Sequence, residues 1–460
     1  MRIGKRFILG VMSLAMAFGC AACGSSGGNS ASEESGGISG SVDTNKQIIL
    51  KIESAAPLKS NYQALLKSEK EGTQLYNQAL FSQKLVNGFK ELYPNIKLQF
   101  IEDGWGEALY QQQQLYIRNY QSGGSMAVDI MIGETYMGYF AENNLFSALD
   151  SAKFGNVLES VCADVTIDDT LYAVPMCTSI MGLQYNTQIL TEVGIAEENW
   201  VPDTWAELLE NCRIVSEYAE KNKKDYGGIV MNNVAGESGA FRSVPFLRQA
   251  GGDFTDAEGK LALNSAENVE AFTYLRQLAE YAYKDSLTCD NEDTLQYYFT
   301  NKGYGAYMIE GQWSMTNAGD HIKSAALPSK NEDGTGVGNV FCGSVLFGVT
   351  KGSKNKEAGQ AFLEYLTSAE VQNWLYELDG RLPINKTVLQ SEEIKTVHPN
   401  INSYIDQLNA GGFDGGLPCF TKNVNDIWAT WGTFYSNVLT SKTDIKELAD
   451  GVQTKIAGKM

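Results

Sequence analysis

Three short apolar runs, separated by polar helix-forming stretches, open the body of this 460-residue chain. Gln47-Ile48-Ile49-Leu50-Lys51-Ile52 suits a buried first strand, and Ile96-Lys97-Leu98-Gln99-Phe100-Ile101 alternates with the period of two that a strand requires. Val128-Asp129-Ile130-Met131-Ile132 is the third run. Between the first two, Leu85, Phe89 and Leu92 recur near helical spacing ahead of Tyr93-Pro94. Between the second and third, Gln111 to Gln121 is polar and helix-like and stops at Gly123-Gly124. Strand, helix, strand, helix, strand is the signature of an α/β domain with a largely parallel sheet.

A second block begins at Thr170-Leu171-Tyr172-Ala173-Val174-Pro175 and continues through Gly182-Leu183-Gln184-Tyr185-Asn186. In Pro202-Asp203-Thr204-Trp205-Ala206-Glu207-Leu208, Asp203 or Thr204 can cap a helix, with Glu207 placed for the return bond of a capping box. Amphipathic helices are expected around 205–221 and 266–284. Others follow at 355–366, 369–377 and 443–458. The chain exceeds the roughly 250–300 residues at which one core tends to split, so two domains are expected.

Composition narrows the function. The formal charge is −19, and no basic footprint for nucleic acid is present. The 23 Tyr and 7 Trp supply broad apolar faces with polar edges, a mixture that suits ligand pockets as well as cores. Beyond the leader, Cys162, Cys177, Cys212, Cys289, Cys342 and Cys419 are scattered without a CxxC pair, so zinc-site spacing is absent. They are expected to be mostly buried free thiols. His321 and His398 are the only histidines. No metal site, no other cofactor and no catalytic triad is expected.

The first residues read as an address. Arg2, Lys5 and Arg6 precede the apolar stretch Phe7 to Phe18, and the small residues Gly19-Cys20-Ala21-Ala22 lead to Cys23. This is the pattern of an export signal, and its apolar core is short of the roughly 20 residues of a spanning helix. A Cys just after small residues resembles the lipobox of bacterial lipoproteins, whose Cys takes the lipid, palmitate among its acyl groups, and becomes the new N-terminus. Residues 1–22 are then the signal peptide, and 23–46, rich in Gly and Ser, a flexible tether. Cys23 is the expected lipidated residue and Cys20 the alternative; lipoboxes usually carry Leu where this chain has Cys20. Ordinary signal cleavage would instead release a secreted protein.

The order of motifs across 47–460 resembles the extracellular solute-binding proteins of ABC sugar importers, the family of maltose- and oligosaccharide-binding proteins. The carriers are Val128-Asp129-Ile130, Leu171-Tyr172-Ala173-Val174-Pro175, Tyr185-Asn186-Thr187 with Gly194-Ile195, and Pro202-Asp203-Thr204-Trp205. They continue through Phe299-Thr300-Asn301-Lys302-Gly303, Ala306-Tyr307-Met308, Gly311-Gln312-Trp313 and Leu327-Pro328. Phe347-Gly348-Val349, Ser353-Lys354-Asn355-Lys356-Glu357-Ala358, Phe362-Leu363-Glu364-Tyr365-Leu366 and Arg381-Leu382-Pro383-Ile384-Asn385 complete the series.

The resemblance implies a two-lobed, periplasmic-binding-protein-like α/β fold of class II. Each lobe is a mostly parallel sheet flanked by helices, and the ligand cleft lies between them. Crossings near Thr178–Ser179, Cys342–Ser344 and 391–396 place lobe one at 47–177 and 345–392, and lobe two at 180–341 and 397–460. It further implies a monomer that captures a carbohydrate by hinge closure and delivers it to the permease subunits of an ABC transporter at the outer face of the cytoplasmic membrane.

A sugar site combines carboxylates and amides for hydroxyls with aromatic rings for C–H faces. The candidates are Ser54 after the first strand, Trp105 after the second, and Glu134 and Tyr136 after the third. Ser179 stands at the first crossing and Trp313 in Gly311-Gln312-Trp313. Asn232 and Glu237 belong to a lobe-two loop. Trp428 and Trp431 share one helical face, one expected in the cleft and the other in the core. Two rival functions are an exported glycoside hydrolase, for which no motif selects a carboxylate pair, and a binding module that takes a non-sugar polar solute or feeds a sensor.

Overall fold

The computed structural model describes residues 37–460 except 39, 135, 235, 316–317, 332–341 and 411–423. The leader with Cys20 and Cys23, and Cys419, lie outside the described residues. Ten strands are present among the described residues: β1 Ile48–Glu53, β2 Ile96–Ile101, β3 Ile130–Gly133, β4 Thr166–Ile167, β5 Thr170–Leu171, β6 Ala173–Asn186, β7 Gly227–Val230, β8 Gly305–Gly311, β9 Ile322–Ala325 and β10 Cys342–Val349. Eight form a sheet in the order β2-β1-β3-β10-β6-β8-β7, with β9 also on β6. β4 and β5 make a separate antiparallel ribbon.

The fold is the expected two-lobed α/β architecture. Lobe one is built on parallel β2-β1-β3, and lobe two contains the parallel pair β7-β8. β6 and β10, which join the two, run antiparallel to their neighbours, and β9 is antiparallel to β6. β6 pairs with β10 from Ala173 to Ile180 and with β8 from Met181 onward. Its change of partner therefore falls just beyond Thr178 and Ser179.

Alternation decides the burial of β1: Leu50 and Ile52 are buried while Ile49 is exposed. Helix Gln74–Leu92, capped by Thr73, covers this layer with Phe81, Leu85 and Phe89. Leu92 stays outside, because Tyr93 takes the place against Phe89, with ring centroids 4.9 Å apart. Asp129 fastens the region. Its Oδ2 accepts the Lys51 N–H, and its Oδ1 accepts the Ser353 hydroxyl and the Asn355 amide.

Thr204 and Glu207 form the capping box of helix Trp205–Asn222, with both reciprocal bonds at 3.2 Å. Trp205 stacks on Tyr274 of helix Ala266–Ala279, with centroids 4.4 Å apart. Cys162, Cys177 and Cys212 are buried free thiols, and Cys289 is a half-buried one. Among the described residues, no helix is long and apolar enough to cross a membrane.

Candidate functional site

A cavity of about 1130 Å³ opens between the lobes. Its lobe-one wall is built from the loops that follow the three parallel strands. Ala55 and Ala56 come after β1, Trp105 after β2, and Glu134 and Tyr136 after β3. Loops at the carboxyl ends of parallel strands are where α/β sheets hold ligands. Trp105 is 41 % exposed. Tyr136 is nearly buried, edge-on to Tyr110 and Phe140 at 5.2 and 5.5 Å.

The floor carries Ser179 of β6 beside Gly343, Ser344 and Val345 of β10. The Gln312 amide donates to the Ser179 hydroxyl at 3.4 Å and to the Thr178 carbonyl at 3.3 Å. Arg381 enters from the side. Its Nε donates to Asp379 at 3.0 Å, and Asp379 also accepts the Gln78 amide at 2.8 Å.

Lobe two supplies Trp313 after β8, Trp428 on helix Val424–Thr440, and a buried ionic cluster that the sequence reading missed. Arg242 of helix Glu237–Gln249 donates to Glu310 of β8 at 2.5 Å and to Glu292 at 2.7 Å. It also donates to the Ser238 hydroxyl at 2.7 Å. Its guanidinium lies 5.7 Å from the Trp313 ring centre, within cation–π range. One cation thus holds two carboxylates and an aromatic face of the cleft.

The two carboxylates respond differently. Burial pushes Glu310 up to about 7; the Arg242 charge opposes this and the Glu292 charge adds to it. Burial also acts on Glu292, but the Arg242 charge, with hydrogen bonds from Arg242 and Ser238, brings it below the usual carboxylate range. Glu292 is therefore the ionised acceptor at the cleft surface. A signal existed in the sequence: Glu310 is a lone acid inside the apolar run Ala306-Tyr307-Met308-Ile309, and a charge there needs a buried cation.

Trp105, Glu134, Tyr136, Ser179, Trp313 and Trp428 are thus brought together around one cavity. Two other candidates, Ser54 and Asn232, are corrected, and the Trp428/Trp431 pair divides between cleft and core. Ser54 is buried and its hydroxyl donates back to the Ile101 carbonyl, so Ala55 and Ala56 face the cleft in its place. Asn232 is buried too, its Oδ1 accepting the Val234 N–H and the Ser238 hydroxyl, which shapes the loop before the helix. Trp431 points into the lobe-two core against Phe254, Phe272 and Phe434, leaving Trp428 as the cleft partner. The Glu237 side chain lies outside the described residues. Among the described residues, no group of three or more His, Cys, Asp or Glu could hold a metal ion.

Gly311 sets the Trp313 ring. A Cβ on Gly311 would sit 1.9 Å from the ring, while its φ of −79° suits any residue. Gly311→Ala is expected to displace the indole without backbone strain. Solute affinity should fall about tenfold while the unfolding midpoint barely moves; calorimetry beside thermal unfolding checks this.

The sequence profile of the bacterial extracellular solute-binding proteins matches residues 73–373, well over half of the chain. The chain belongs to that family. This solute-binding protein is therefore a binding protein, not an enzyme, and the hydrolase reading falls away. It is similar to an arabinooligosaccharide-binding protein of Halalkalibacterium halodurans, 27 % identical over 218 residues. That match spans 45 % of this chain and 45 % of the relative, under half the length of either. Among solved structures it resembles maltose-bound MalE3 of T. maritima, at 20 % identity and a TM-score of 0.69, covering 90 % of this chain and 100 % of the other. It also resembles a solute-binding protein of Agrobacterium radiobacter K84 in complex with ribitol, at 18 % identity and a TM-score of 0.69, covering 90 % and 99 %. These structural likenesses concern the fold.

Proposed function

We propose that this solute-binding protein captures a neutral carbohydrate, a mono- or oligosaccharide, between its lobes and delivers it to the permease of an ABC importer. The observation that carries this reading is the pair of opposed aromatic walls. Trp105 and Tyr136 stand on one side, Trp313 and Trp428 on the other, with Glu134, Glu292 and Ser179 among them. Rings suit the C–H faces of a sugar, and the polar groups suit its hydroxyls. Both arginines among the described residues of the lining are engaged with carboxylates, Arg242 with Glu292 and Glu310 and Arg381 with Asp379, which disfavours an anionic solute. The named ligands of the relatives, arabinooligosaccharide and maltose, agree with a saccharide. The ribitol complex keeps open a second reading, a polyol.

Closure would bend the chain where it passes between lobes, in β6 and β10 and in the segment near 391–396. Lobe one then comprises 47–177 and 345–392, and lobe two 180–341 and 397–460. The leader would place the protein, as a monomer, at the outer face of the cytoplasmic membrane through a lipid on Cys23, with Cys20 the alternative. The tether would hold it near its permease at raised effective concentration. Cys23→Ala should abolish incorporation of a labelled fatty acid; labelling that persists and is lost in Cys20→Ala would reassign the anchor. For the solute, a thermal-shift screen should single out neutral saccharides over polyols and glycerophosphodiesters. Stabilisation by polyols alone would replace the first reading with the second.

A further inference from the structure

Helix Val424–Thr440 borders the cleft on one side and a second depression on another. Where it packs on the last helix, Ile445–Ala457, a groove of about 420 Å³ runs between the two. Ala429 and Thr433 line this groove and the cleft alike. Both are small and exposed. Only a low ridge therefore separates the groove from the cleft wall at Trp428.

The walls of the groove are held at both ends. At one end Arg276 donates to the carbonyls of Asn437, Val438 and Thr443 at 3.3, 2.8 and 2.7 Å, which pins the turn between the helices. At the other, Lys459 stands 4.0 Å from Asp426 across the gap. The floor is apolar: Phe434 and Val452 are buried and Leu448 is half-buried. The rim is polar. The Thr430 and Thr433 hydroxyls each donate to the carbonyl four residues back, at 2.7 and 3.0 Å, so their oxygens remain as acceptors. Exposed Glu447 and Lys455 on the opposite wall add an acceptor and a donor. The charges of the lining balance, Asp426 and Glu447 against Lys455 and Lys459, and so select neither an anion nor a cation.

Gly451 lies in the wall of this groove, inside helix Ile445–Ala457. A Cβ added there would meet nothing within 4 Å. It is not among the glycines with positive φ. Neither close packing nor backbone conformation calls for glycine, and glycine within a helix is less stable than alanine. Its missing side chain gives clearance to the groove.

We propose that the groove is an outer subsite for a saccharide chain too long for the cleft. The chain passes over Ala429 and Thr433 and lies on the apolar floor, and its hydroxyls meet Thr430, Glu447 and Lys455. An apolar strip rimmed by neutral donors and acceptors matches the C–H faces and hydroxyls of a sugar. The cleft volume of about 1130 Å³ is already at the upper end of the roughly 300–1,000 Å³ usual for small-molecule sites, which suits an oligomer better than a single sugar. Occupation of the groove rests on the cleft being a saccharide site.

Calorimetry with maltose and arabinose oligomers, from the disaccharide to the octasaccharide, tests this. Wild-type affinity should keep rising past the length that fills the cleft, with Kd about tenfold lower for the octasaccharide than for the trisaccharide in the series that binds. Gly451→Phe, which puts a ring into the open groove, should erase that gain while di- and trisaccharide affinities and the unfolding midpoint stay as they are. Gly451→Ala should keep most of it. In the wild type, the Thr430 methyl resonance, assigned by its loss in Thr430→Ser, should move with the octasaccharide and not with the disaccharide; this decides the matter if Gly451→Phe does not fold. An octasaccharide that binds no tighter than the trisaccharide, a length gain that survives in Gly451→Phe, or an unmoved Thr430 methyl overturns the outer subsite and leaves the cleft as a saccharide site. Absence of binding at every length in both series would overturn the saccharide reading and the outer subsite with it.

Discussion

Replacing Arg242 by Met should destabilise the protein by about 3–5 kcal/mol, because it strands two carboxylates that share one buried cation. Arg242 and Glu310 are almost fully enclosed, and Glu292 is about a third exposed. Most of the loss therefore comes from Glu310, which has no route to water. The loss should depend on pH in a defined direction. Glu310 holds its proton up to about pH 7 when folded, above its ordinary value of 4.5. Over that window the folded state binds more protons than the unfolded one, so lowering the pH favours folding. Without Arg242 the opposing attraction is gone and the window extends upward, so the deficit should shrink on acidification. Urea unfolding near pH 5 and near pH 8 measures both effects. Adding Glu310→Gln to Arg242→Met should recover much of the lost stability at the higher pH. A deficit independent of pH and of Glu310 would mean that Arg242 acts by packing alone.

Trp313→Ala should weaken saccharide binding by about 2 kcal/mol, on the order of thirtyfold in Kd, with little change in stability. The indole is half-buried, and its outer face belongs to the cleft. Its position is fixed from two sides, by Gly311 behind the ring and the Arg242 guanidinium 5.7 Å from its centre. A ring held in this way loses little freedom when a sugar stacks on it, so more of the contact energy appears as affinity. Calorimetry of the wild type and variant with the same saccharide gives the ratio. An unchanged Kd would remove Trp313 from the site.

These two residues also show what a sequence makes legible. The strands could be read because apolar alternation is local, as in β1, where Leu50 and Ile52 point inward and Ile49 outward. The capping box was legible for the same reason, since Thr204 and Glu207 are three residues apart. Trp313 followed from its motif, and Trp105, Glu134 and Tyr136 from their places just after strands. Arg242 was not legible from spacing, because its partners lie 50 and 68 residues away and meet it only in the folded lobe. Ser54 and Asn232 illustrate the converse. Both occupy loops expected at the cleft, but the Asn232 side chain turns back on the adjacent Val234 N–H, as short polar side chains readily do, and the Ser54 hydroxyl bonds across to the Ile101 carbonyl of β2.

The central claim is that a saccharide is held between the two aromatic walls. A crystal structure grown with the saccharide selected by the thermal-shift screen tests it most directly. The account predicts one sugar per chain, with a ring face against Trp313, hydroxyls on Glu292 or Glu134, and Trp105 or Tyr136 closing from the opposite lobe. A saccharide bound elsewhere, or a cleft that takes none at saturating concentration, would contradict it.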